Sequence, residues 1–92
     1  MATEKQLKSR QIKLKVQVQG LLGDFLVGSV STKGPKRPGF NLTFKVDQVT
    51  KSRHIRKAHE KRVLRMTQKH KRIKQLLQQL TEVNWELLKL EE

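Results

Sequence analysis

The sequence predicts an α+β fold, a single small domain over residues 1–92 in which a β-hairpin lies between an N-terminal helix and a long C-terminal helix with coiled-coil-like heptads. Three observations carry that expectation. Leu7, Leu14, Val18, Leu21 and Phe25 recur at helical spacing, with only Gln11 breaking the stripe. Phe40, Leu42, Phe44 and Val46 alternate with Asn41, Thr43 and Lys45, which sets four apolar side chains on one face of a strand. Ile73, Leu76, Leu80, Val83, Leu87 and Leu90 step by three and four, a heptad seam, and no glycine or proline interrupts residues 57–92.

The first helix is assigned to residues 4–22. Ile12, Leu14, Val16 and Val18 also alternate strictly with Lys and Gln, so a strand is the alternative over that short window. The longer window weighs more, because Lys and Gln favour helices and disfavour strands. Gly20 and Gly23 then mark its end, glycine being the residue that most easily adopts the left-handed conformation that closes helices.

Residues 25–39 read as a short lead-in strand, FLVGSV, followed by a basic Gly/Pro loop, STKGPKRPG, expected to be mobile. The hairpin is assigned to residues 40–55. A two-residue turn at Asp47 and Gln48 pairs Val46 with Val49, Phe44 with Lys51, Leu42 with Arg53 and Phe40 with Ile55. Gln48 lacks the glycine a tight primed turn prefers, so a longer turn is the alternative. The long helix is assigned to residues 57–91, with Leu77, Trp85 and Leu88 as a second apolar stripe beside the seam. The expected core draws on Leu14, Val18, Leu21, Leu22, Phe25, Phe40, Leu42, Phe44, Ile73, Leu77 and Leu80.

Charge sets the functional expectation. Lys and Arg number 21 against eight acids, a formal +13 that repels itself in isolation and is relieved by phosphates or an acidic protein surface. There is no cysteine, which removes disulfides and thiolate chemistry. No apolar run approaches the roughly 20 residues that span a bilayer. The start, MATEKQLKSRQIKLK, has no apolar segment of a secretory signal, and Glu4 and the lack of an arginine-rich face count against a mitochondrial presequence. A cytoplasmic protein, associated with the nucleoid or a ribonucleoprotein, is the default.

The strings LKVQVQGLLGDFLVGSVS, GPKRPGFNLTFKVDQVTKSRHI and KRVLRMTQKHKRIKQLLQQLTEVNWELLKL together resemble a family of small bacterial proteins of unknown function, often encoded beside transposases. The resemblance covers about Lys13 to Leu90 and rests on soft motifs. It implies a helix, hairpin, helix order and a link to DNA transactions. Many members carry a cysteine cluster where this chain reads STKGPKRPG, and they tend to place glycine where it has Gln48. The departures leave no metal role to carry over.

The basic block is residues 51–74, where Glu60 is the only acid among Lys51, Arg53, Arg56, Lys57, Lys61, Arg62, Arg65, Lys69, Lys71, Arg72 and Lys74. On a helix Lys57, Lys61, Arg65 and Lys69 step by four, with Arg72 three further on. Like charges at that spacing weaken an isolated helix by a few tenths of a kcal/mol per pair, so phosphate contact is the expected compensation and a merely solvated face the alternative. Lys33, Lys36 and Arg37 in the loop are a second candidate contact, as in basic arms that follow phosphates or enter a minor groove. A leucine-zipper arrangement is disfavoured, because three heptads are short and the basic block begins inside a strand.

Other chemistry finds little support. His54, His59 and His70 match no metal-ligand spacing and read as surface or phosphate-facing side chains. Asp24 and Asp47 stand isolated in turns, Glu82 and Glu86 sit on the apolar half of the last helix, and no catalytic set, cofactor or metal is expected. Trp85 is read as packing against the hairpin or first helix, or, with Leu77 and Leu88, as an anchor for a protein partner or a second copy. The function expected is a non-enzymatic nucleic-acid-binding accessory protein, DNA favoured and RNA possible, as a partner of a transposase or recombinase. A ribosomal or ribonucleoprotein subunit and a protein-protein adaptor are the alternatives.

Overall fold

The computed structural model describes residues 2–91. The chain runs α1 (Glu4–Leu21), β1 (Ser29–Thr32), β2 (Phe40–Val46), β3 (Val49–Ile55), a 3-10 turn (Lys57–His59) and α2 (Glu60–Leu90), an α+β order. It divides into a helical unit, Met1–Gly23 with Lys71–Glu92, and a sheet unit, Asp24–His70. Among the described residues no helix is long and apolar enough to cross a membrane.

In the helical unit α1 starts on a reciprocal cap. Thr3 Oγ1 accepts from the Gln6 N–H at 3.2 Å while Gln6 Oε1 accepts from the Thr3 N–H at 3.1 Å, which satisfies two amides that the first turn leaves without helical partners. The helix buries Leu7, Leu14 and Val18 against Leu76 and Val83 of α2, with Leu21, Leu80 and Leu87 packed around them. Gln11 Nε2 donates to Asn84 Oδ1 at 2.6 Å beside that seam. The helix wins over the short alternating pattern because its buried stripe follows the 3.6-residue period, and Ile12 and Val16 are left exposed.

Two side chains expected in the core are outside it. Leu22 is the C-cap of α1 and is exposed. Leu77 is 46 % exposed, because it lies one residue, roughly 100° of helix, past the buried Leu76. Leu7, Ile55, Leu76 and Val83 are buried although the expected core omitted them. Trp85 does not pack inside either; it is 60 % exposed.

In the sheet unit the strands lie antiparallel in the order β1-β2-β3, three rather than the two of a hairpin. β2 and β3 pair in the expected register, from Phe40 with Ile55 to Val46 with Val49. The turn is the tight two-residue kind: Asp47 and Gln48 take φ of 50° and 68°, the left-handed pair whose twist matches the flanking strands. β1 runs against β2 from Ser29 with Thr43 to Thr32 with Phe40. Gly28, at φ 139°, leads into it where a Cβ would stand 2.7 Å from the Thr43 carbonyl oxygen, so only glycine lets the strand approach so closely. The basic loop is the connection of the β1-β2 hairpin, held by Lys33 N–H to Gly39 O at 3.4 Å and Arg37 N–H to Gly34 O at 3.3 Å.

Three consecutive residues tie the segment before β1 to the first turns of α2. Asp24 receives the Lys69 ammonium at 2.6 Å. Phe25 stacks on the His70 ring with centroids 5.9 Å apart and planes 15° from parallel. The Leu26 N–H reaches the Met66 carbonyl at 3.0 Å. The α-helix itself begins at Glu60, three residues later than expected: Arg56 is extended and residues 57–59 form the 3-10 turn, closed by His59 N–H to Arg56 O at 2.8 Å. Buried Thr67 turns its hydroxyl back onto the Leu64 carbonyl at 2.8 Å, so no polar group is stranded there.

Candidate nucleic-acid interface

The sheet unit concentrates the charge. Twelve of the 21 Lys and Arg fall within Asp24–His70 against three acids, a formal +9 for that unit. It carries Lys33, Lys36, Arg37, Lys51, Arg53, Arg56, Lys57, Lys61, Arg62, Arg65 and Lys69; of the expected contacts, Lys71, Arg72 and Lys74 belong to the helical unit. All are exposed except Lys33 and Lys69, which are half-buried.

The cations are not equivalent. Lys61 and Arg65 stand on the first turns of α2, four residues apart on one face. Lys57 lies in the 3-10 turn and Arg56 in the extended residue before it, so the expected four-residue stripe loses its first member. Lys69 is already committed to Asp24. That pairing, chiefly the hydrogen bond from Lys69 with added attraction from Lys69 and Arg62, holds the Asp24 carboxyl below its ordinary 3.8 against a smaller opposing effect of desolvation. Arg53 lies with its guanidinium carbon 5.1 Å from the Phe44 ring centroid, a diagonal neighbour across the β2-β3 ladder. Arg72 Nη1 donates to Gln75 Oε1 at 3.3 Å. His70 is half-buried and stacked on Phe25, and so is not the free surface side chain expected.

Register exposes a feature that the sequence reading passed over. Paired residues of antiparallel strands share a face, so Ser31, Asn41 and His54 form one row across the sheet, and Ser29, Thr43 and Ser52 the next. Lys45 and Thr50 complete that face. It holds hydroxyls, an amide, an imidazole and an ammonium, with no acid. Within it Ser31 Oγ and Thr43 Oγ1 are 2.9 Å apart, sharing one hydrogen bond. The signal was present in the polar half of the alternation that located β2, but it extends to β1 only once that strand is seen to pair.

A cleft of about 360 Å³ opens in the same unit at the end of β3. Its floor is Leu26, Leu42, Ile55 and Val63 and its rim Arg53, Arg56 and His59; His54 borders it between Arg53 and Ile55, with its side chain on the opposite, polar face of the sheet. Leu42 and Ile55 are buried, Leu26 and Val63 half-buried, and the three rim side chains exposed. No acid lines it. Among the described residues no group of three or more His, Cys, Asp or Glu could hold a metal ion.

In the helical unit Leu77, Trp85 and Leu88 are 46 %, 60 % and 52 % exposed and follow one another along α2 with Thr81 between them. The α1 cations Lys5, Lys8, Arg10, Lys13 and Lys15 add a second basic surface that sequence reading did not single out, and Lys8 is paired with Glu4 at 3.0 Å. Compared with protein-family models, with curated proteins and with solved structures, the chain finds no match in any of the three.

Proposed function

We propose that this chain is a non-enzymatic nucleic-acid-binding protein whose sheet unit grips the phosphate backbone. The observation that carries the reading is the formal +9 of Asp24–His70, with cations on the loop, β3 and the start of α2 and an acid-free polar face on the sheet. Hydroxyls, amides and cations are the groups that contact phosphate and sugar oxygens, which fix a protein on a strand without reading its sequence. DNA is the first substrate to try. A role beside a transposase or recombinase rests on the sequence resemblance alone.

The test is the salt dependence of binding, measured by fluorescence anisotropy on a labelled DNA duplex and an RNA hairpin. Neutralising about six phosphates gives a slope of log affinity against log salt near −5 on duplex DNA. A flat response would remove the reading in favour of an adaptor that uses the same cations against an acidic protein.

The stripe of Leu77, Trp85 and Leu88 fits a second copy of the chain. In an antiparallel pairing of two α2 helices, Leu77 of one copy falls opposite Leu88 of the other, and Lys74 opposite Glu91, so apolar and charged positions match together. Sedimentation at micromolar concentration is expected to give a dimer that Trp85→Ala converts to monomer without loss of helix; a wild-type monomer removes this assignment.

A further inference from the structure

The cleft at the end of β3 combines two chemistries that the phosphate grip does not use together. A free phosphate needs the rim of Arg53, Arg56 and His59 but leaves the apolar floor wet. A metal ion lacks ligands, since the His59 imidazole stands there without a carboxylate. A flat, apolar-faced group bearing an anion satisfies both parts. Guanidinium and imidazole planes stack on nucleobases, which are then held out of their own helix, while the same groups donate to the adjoining phosphate. Leu26, Leu42, Ile55 and Val63 give the base a dry surface, and 360 Å³ lies in the range of small-molecule sites.

We propose that this cleft receives one unpaired nucleotide of the bound strand, base toward Leu42 and Ile55 and phosphate at Arg53 and Arg56. The proposal rests on the nucleic-acid reading above and assigns it a preference for unpaired over fully paired strands. His59 thereby gains a role as a stacking and donor group.

The experiment compares three labelled probes of one sequence at one salt concentration with the full chain: a perfect duplex, the duplex with one unpaired nucleotide, and the single strand. The probe with the unpaired nucleotide is expected to bind about tenfold more tightly than the perfect duplex, the gain of one stacked base. Val63→Phe, which fills the floor, is expected to bring the ratio to about one while the duplex affinity stays. His59→Ala at the rim is expected to lower the ratio as well, and stands in if Val63→Phe fails the check of helix content and unfolding midpoint. Equal affinities for the three probes overturn the cleft assignment and leave the phosphate grip standing. A ratio unchanged in a folded Val63→Phe overturns it too. Failure to bind any probe removes the nucleic-acid reading, and this proposal with it.

Discussion

The Asp24–Lys69 pair decides how one lysine of the basic block behaves, since an ammonium 2.6 Å from a carboxylate has less to offer a phosphate than a free one. The Asp24 carboxyl is held below its ordinary value, so folding favours its charged form. For a lowered pKa the stabilisation is complete above about 3.8 and is lost as pH falls through the folded-state value. The side-chain carbon resonance of Asp24 is therefore expected to titrate below 3.8, and to move upward in Lys69→Met. An unchanged midpoint in that variant would show that Lys69 is not the cause. Both partners are partly exposed, so the effect on overall stability is small. The pair joins residues 45 apart, and nothing in the spacing of Asp24, isolated between Gly23 and Phe25, announces it.

Among the elements, the three apolar patterns that suggested the fold were legible for different reasons. α1 and α2 could be read because their buried stripes are long enough to average over exceptions such as Gln11. β2 and β3 could be read to the residue, because alternation on β2 fixes which of its side chains face inward and a two-residue turn then fixes every partner. The tightness of that turn was less legible: Asp47 and Gln48 both adopt positive φ without glycine, so the strand pairing on either side holds a conformation that local preference disfavours. β1 was read only as a lead-in strand set too early, at residues 25–30, because Val30 is the one aliphatic side chain in Ser-Val-Ser-Thr and the partner that stabilises it begins eight residues beyond its end. The seam of α2 was read in the right phase, since Leu76, Leu80, Val83 and Leu87 do pack against α1; the expected core departed from that seam by admitting Leu77 and omitting Leu76. Leu76→Ala is accordingly expected to cost about 3 kcal/mol in urea unfolding, and Leu77→Ala under 1 kcal/mol. Similar losses for both would place the seam elsewhere.

On the scale of the whole chain, a formal +13 over 92 residues works against the folded state whenever counter-charge is scarce. Added sodium chloride screens that repulsion and would weaken the proposed phosphate binding, so the two responses have opposite sign. Raising salt from about 50 to about 500 mM is expected to increase stability by about 1 kcal/mol, a few degrees in Tm, followed by circular dichroism. A falling Tm would indicate that attractive pairs such as Glu4–Lys8 and Asp24–Lys69 outweigh the repulsion. The candidate interface was legible as a basic block of sequence. Its polar sheet face and its cleft were not, since both are made by strand pairing and by residues that no linear run brings together.

β3 lies at the edge of its sheet, and Lys51 and Arg53 are two of the six residues that leave it exposed along nearly its whole length. Charge on such an edge keeps strands of different molecules from zipping together. The cations proposed to hold phosphate therefore also keep the protein in solution, and a strand that neutralises them lifts that protection. Crowding of the complex near charge balance, rather than of the free protein, is then the condition under which this sheet edge becomes adhesive.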